Sequence, residues 1–124
     1  MIIDKNMMLL EKAVAGSSLR HKAILNNIAN VNTPGYKRID VDFKTSLKSY
    51  LAKSAQQEDL QDLGSVSPEI NREENTALRP DGNNIDIEKE MTLLAKNSLE
   101  YDYYMSLLSR KMRMIKNVIN ENRG

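Results

Sequence analysis

Apolar and small residues recur at alternating spacings of three and four at Met7, Leu10, Val14, Ser17, His21, Ile24, Ile28 and Val31, a heptad seam on a helix. Lys5, Glu11, Lys12, Arg20 and Lys22 lie off that seam, so positions 5 to 31 predict one amphipathic helix, ~40 Å long at the usual rise. Asn32-Thr33-Pro34-Gly35 stops it: proline disfavours helical geometry at Thr33, and Pro followed by Gly suits the central places of a type II turn. A second seam runs through Ile87, Met91, Leu94, Ser98, Tyr101, Met105, Leu108, Met112, Ile115 and Ile119, predicting a helix over residues 86 to 120, ~50 Å long. Asp86 is placed to cap its start. Glu88 and Glu90 complement the positive end of the helix dipole, and Arg110, Lys111, Arg113 and Lys116 the negative end.

Between the helices, Ile39, Val41 and Phe43 alternate with Asp40, Asp42 and Lys44, a short extended stretch ahead of a weakly helical one reaching Leu51. Residues 52 to 84 are rich in Gln, Asp, Glu, Ser, Asn, Gly and Pro. Their apolar positions Leu60, Leu63, Val66, Ile70 and Leu78 are too dispersed to form a face, so this part reads as a flexible or conditionally ordered insert. The expected fold class is therefore all-α, with two long terminal amphipathic helices packed as a coiled-coil-like pair and a short flexible or partly extended insert between them. The division expected is 1 to 35 for the first helix and turn, 36 to 84 for the insert, and 85 to 124 for the second helix. Two helices make a thin core, and Leu9, Leu25, Leu93, Leu99 and Leu107 widen each stripe beyond what one partner helix covers. Leu10, Val14, Ile24, Ile28, Val31, Met91, Leu94, Tyr101, Met105, Leu108, Met112 and Ile115 are accordingly expected to pack between subunits, with other chains covering what one chain leaves bare. Backbone entropy of roughly 1 to 2 kcal/mol per ordered residue then predicts a marginally stable monomer.

Composition narrows the chemistry. A chain of 124 residues fits one domain; with no Trp, one Phe and five Tyr its core is aliphatic and Met-rich. Eighteen basic against 17 acidic residues leave a net charge of +1, without the basic stripe that nucleic-acid binding usually needs. The absence of cysteine excludes disulfides, thiolate chemistry and Cys-based zinc sites. The start lacks the basic, apolar and small-residue succession of a secretory signal, and no apolar run approaches the ~20 residues that cross a bilayer. His21 has no second His to make a metal pair and is read as a tolerated interface residue. Asp81-Gly82-Asn83-Asn84 lacks the ligand spacing of a calcium loop and is read as a turn. Tyr101 is read as core, and Tyr103 and Tyr104 as contact residues. Without a phosphate-binding glycine loop, nucleophile elbow or carboxylate pair, no catalytic, cofactor-binding or metal residue is expected, nor any small-molecule substrate.

The run Asn26-Asn27-Ile28-Ala29-Asn30-Val31-Asn32-Thr33-Pro34-Gly35-Tyr36-Lys37 resembles the N-terminal signature of the flagellar rod and hook protein family, carried by Asn26, Asn27, Asn30, Asn32, Pro34, Gly35 and Tyr36. A second run, from Asp81 to Met91 and on through Leu94-Ala95-Lys96-Asn97-Ser98-Leu99-Glu100-Tyr101, is similar to the C-terminal half of proximal-rod members. The short insert agrees, since distal-rod and hook relatives carry large domains there. The resemblance implies a structural protein and not an enzyme: a proximal-rod subunit of the bacterial basal body, transmitting torque and forming the axial channel. It also implies export through the flagellar type III apparatus without a cleaved signal peptide. The partners it implies are further copies, FliE, FlgC, FlgF and FlgG, and the export apparatus. The asparagine cluster has two open roles, hydrogen bonding between subunits or helix-end and turn chemistry. The rival expectation is an intracellular helical-bundle adaptor or chaperone using the same seams.

Overall fold

A computed structural model describes residues 5–56, 67–74 and 76–123, with residues 53–56 and 123 as backbone only. Along the chain lie α1 (Lys5–Ala29), β1 (Ile39–Asp42), α2 (Lys44–Gln56), β2 (Glu69–Arg72) and α3 (Ile87–Arg123). The heptad seams thus mark the two long helices. α1 stops two residues earlier than the seam because its end tightens: the Val31 amide bonds the Ile28 carbonyl at 3.2 Å and the Thr33 amide that of Asn30 at 3.0 Å, which satisfies carbonyls that a continuing helix would use. Next, the Tyr36 amide bonds the Thr33 carbonyl at 3.2 Å with Gly35 at a φ of 72°, the geometry of a type II turn around Pro34-Gly35. At the start of α3, Asp86 Oδ1 accepts the amides of Glu88 at 3.1 Å and Lys89 at 3.4 Å, so it is the expected cap.

The most extensive packing joins α1 to α3. Asn27 lies against Glu90 and Ser17 against Asn97, so the helices run in opposite directions. The side chains that close this seam most completely are Ile24 and four polar ones, Ser17, Asn27, Glu90 and Asn97.

One flank of the pair is covered by β1 and α2. Val41 and Phe43 are buried, whereas the intervening Asp42 is half-exposed, as alternation along an extended strand dictates. Phe43 seats directly on α1 where residue 16 is glycine: a Cβ there would stand 2.5 Å from Phe43 Cγ. The Phe43 ring also meets Tyr104 of α3 edge-on, with centroids 6.4 Å apart. Lys44 bonds Glu100 at 2.6 Å, and in α2 the buried Tyr50 carries the Lys5 ammonium 5.6 Å above its ring.

The structure amends the all-α expectation in one respect: the fold is mostly helical but includes a two-stranded antiparallel sheet pairing Ile39 with Arg72 and Val41 with Ile70. β2 was illegible because all four of its residues are exposed, leaving no apolar alternation to read. Within the insert expected to be flexible or conditionally ordered over 52 to 84, residues 52–56 complete α2, and 67–74 and 76–84 form the strand and a bonded loop; its remainder, 57–66 and 75, lies outside the described residues. Among the described residues no helix is long and apolar enough to cross a membrane.

Candidate functional site

The two sequence signatures meet at one end of the helical pair. Asn27 is fully buried and acts as a two-way clamp on β1. Its Oδ1 accepts the Ile39 amide at 2.9 Å and the Tyr36 hydroxyl at 3.2 Å, while its Nδ2 donates to the Ile39 carbonyl at 2.8 Å and to Glu90 Oε2 at 3.3 Å. An amide is the side chain that meets a backbone N–H and C=O together. One helical step away, Asn26 donates to the Tyr36 hydroxyl at 2.9 Å. Asn30 donates to the Asn26 carbonyl at 2.8 Å and accepts the Thr33 hydroxyl at 3.0 Å. Within the chain, Asn26, Asn27 and Asn30 thus bond at the helix end, the turn and the start of β1. Asn32 and Pro34 stand exposed on the turn.

The second signature closes over the first. Asn83, fully buried, donates to the carbonyls of Asn30 at 3.0 Å, Val31 at 3.2 Å and Thr33 at 2.8 Å, so it caps the C-terminus of α1 from the far side of the chain. Arg79 also bonds the Val31 carbonyl. Asn84 Oδ1 accepts the Arg38 amide at 2.7 Å, and its Nδ2 donates to the Glu73 carbonyl at 2.7 Å and Thr76 Oγ1 at 2.9 Å. Gly82, at a φ of 86°, passes so close to Gly35 that a Cβ would lie 3.6 Å from the Gly35 Cα. The Gly35 amide bonds the Asp81 carbonyl at 2.9 Å. Positive φ at both places suits glycine alone without strain.

At the centre, Arg38 is buried between two acids: its Nε donates to Glu90 Oε1 and its Nη1 to Glu73 Oε1, each at 2.7 Å, and Glu90 is fully enclosed. Burial opposes the charge on Arg38, but the hydrogen bonds and charges of Glu90 and then Glu73 outweigh it and raise the guanidinium above its ordinary value. The arrangement ties the end of α1, β1, the loop over 76–84 and the first turn of α3 into one unit. Among the described residues no three His, Cys, Asp or Glu side chains are grouped to hold a metal.

The twelve positions expected to pack between subunits divide by exposure. Ile24 is buried; Leu10, Val14, Ile28, Val31, Leu94, Tyr101, Leu108 and Ile115 are half-buried; Met91, Met105 and Met112 are 53%, 36% and 55% exposed. The structure corrects one tyrosine: Tyr101, expected in the core, is half-buried at a cleft with Ser18, His21, Ser98 and Asp102; Tyr104, half-buried, meets Phe43 edge-on. Arg38 and Glu73 escaped the sequence reading, as did the bonding roles of Asn83 and Asn84, which were read as a turn, and the partnership of Gly16 with Phe43. The available signals were a glycine at mid-helix, where it is costly, and a paired asparagine in each signature.

A family model described as "Flagella basal body rod protein" matches residues 18–37, the span holding Asn26, Asn27, Asn30 and the Pro34-Gly35 turn. The chain is 32% identical to the flagellar basal body rod protein FlgB of Bacillus subtilis (strain 168) over 89% of each chain. To FlgB of Escherichia coli (strain K12) it is 28% identical over 94% of each, and to FlgB of Aquifex aeolicus (strain VF5) 27% over 96% of each. These matches span most of the chain, and by them the chain belongs to the FlgB family of flagellar basal body rod proteins.

Proposed function

We propose that the chain works as a structural subunit of the proximal rod of the flagellar basal body, transmitting torque and contributing to the wall of the axial channel, and that it catalyses no reaction. The observation that carries this reading is the division of labour within the fold. Polar side chains fix how α1 meets α3, while Met91, Met105 and Met112 stay exposed along α3. Apolar surface of that kind on a thin two-helix body is stabilised by burial against other chains, at roughly 25 cal/mol per Å² removed from water.

On this reading the twelve seam residues from Leu10 to Ile115 make the contacts between subunits, in coiled-coil-like packing of the helical pair with its neighbours. Residues 1 to 35 and 85 to 124 form the rod core, and 36 to 84 the insert. The neighbours are further copies and the axial proteins FliE, FlgC, FlgF and FlgG. The chain reaches them unfolded through the flagellar export apparatus without a cleaved leader and folds as it assembles. Basal bodies purified from the host and probed with an antibody to the chain test this: the chain is expected with the rod at its uncleaved mass, and recovery from the cytosol alone would contradict it.

A further inference from the structure

The insert covers only one flank of the α1–α3 pair. Phe43 and Lys44 reach α3 at Tyr104 and Glu100. At about 100° per residue, Tyr104 and Glu100 fall to one side of the line through Glu90 and Asn97, whereas Met91, Ser98 and Met105 fall to the other. On α1 the same geometry puts Gly16, beneath Phe43, on the insert side and His21, Leu25 and Ile28 on the opposite side. Because the helices are antiparallel, these opposite sides coincide. The structure has a cleft there, lined by Ser18, His21, Ser98, Tyr101 and Asp102, with Leu25 and Met91 exposed above it. The serines leave room for an incoming side chain between the helices.

Among the described residues, α3 also outruns its partner. With Ser17 opposite Asn97, the first described residue of α1, Lys5, falls opposite roughly residue 109, so the last turns of α3 continue about 20 Å beyond it. Met112, Met114, Val118 and Ile119 are exposed on this tail. Its charge is one-sided: Arg110, Lys111, Arg113 and Lys116 are followed by one acid, Glu121, before Arg123. The cleft carries one acid, the exposed Asp102.

We infer that the cleft of one chain receives the α3 tail of a second copy, with Met112, Ile115 and Ile119 facing the notch between Ser18 and Ser98 and the tail's basic residues facing Asp102. Cleft and tail lie at different places on the chain, so the contact is head-to-tail. Such a contact does not close on itself in a pair and propagates as a helical array. The inference rests on the rod reading, and it adds which two surfaces meet.

The chain has no cysteine, so single-cysteine variants report the contact directly. Ser98→Cys marks the cleft and Met112→Cys the tail. The two are co-expressed in a host lacking the unmodified copy, motility is scored, and purified basal bodies are oxidised. The expected result is motile cells in which the co-expressed pair yields a disulfide-linked species of twice the 14.1 kDa chain mass, absent when either variant is expressed alone. Intact rods without this species overturn the contact and leave the rod reading standing, as does linkage of Ser98→Cys to itself or of either variant to a different protein. Should Met112→Cys abolish motility, Ile115→Cys and Ile119→Cys probe the same face, and failure of all three to link to Ser98→Cys overturns it equally. Absence of the chain from basal bodies would instead refute the rod reading.

Discussion

At the scale of single residues, buried polar groups control this fold. Arg38→Met leaves the fully enclosed Glu90 without its 2.7 Å partner, and an uncompensated buried charge typically costs roughly 3 to 5 kcal/mol. Combining Arg38→Met with Glu90→Gln removes that charge, so the double variant is expected to recover part of the loss; chemical denaturation of the single and double variants measures it. Asn27→Ala orphans both the amide and the carbonyl of Ile39, at about 1 to 3 kcal/mol for each buried group left unsatisfied. Gly16 is constrained by space. A methyl group there meets Phe43 at 2.5 Å, so Gly16→Ala is expected to destabilise even though alanine favours helix by up to 1 kcal/mol. Gly16→Ala combined with Phe43→Leu should be less destabilised than Gly16→Ala alone, as thermal melts of the two would show.

At the scale of elements, periodicity made α1 and α3 legible, and Pro34-Gly35 their first boundary, because both are local signals. β2 and the loop over 76–84 were not legible, since what orders them is distant in sequence: Asn83 reaches back 50 residues to the Thr33 carbonyl, and Arg38 reaches forward 52 to Glu90. An asparagine read locally is a turn former; only the fold reveals it as a cap on another helix. The sequence likewise located both signatures without showing that they meet. α2 has a local signal of its own, Asp42, whose carboxylate accepts the Thr45 amide at 3.0 Å. The backbone and then the side chain of Thr45 hold this carboxyl below its ordinary value. A depressed carboxylate stabilises the fold fully above its unfolded pKa and loses that contribution as pH falls through the folded one. Acidification below about pH 4, the ordinary aspartate range, should therefore fray α2, and Asp42→Ala should remove about 1 kcal/mol of capping at neutral pH. Far-UV circular dichroism across that range is expected to show a smaller acid-linked loss of helix in the variant.

At the scale of the whole molecule, the fold separates what holds the chain together from what it offers to others. Substitutions in the two sets should accordingly fail in different ways. Ile24→Asp places a charge at a position only 2% exposed and is expected to abolish folding. Met91→Asp alters a side chain that is 53% exposed, so it should leave the soluble chain's helicity and melting within about 0.5 kcal/mol of the unmodified protein while preventing incorporation into the rod. Sequence alone placed both residues on apolar stripes; their different burial follows from where the insert lies, which no local pattern encodes. The most direct test of the account is electron cryo-tomography of basal bodies in the host after deletion of the gene and complementation with the unmodified chain or with Met91→Asp. The account predicts rings without a rod in the deletion strain, rods restored by the unmodified chain, and none restored by Met91→Asp despite normal cellular levels of the chain. Complete rods in the deletion strain would contradict it.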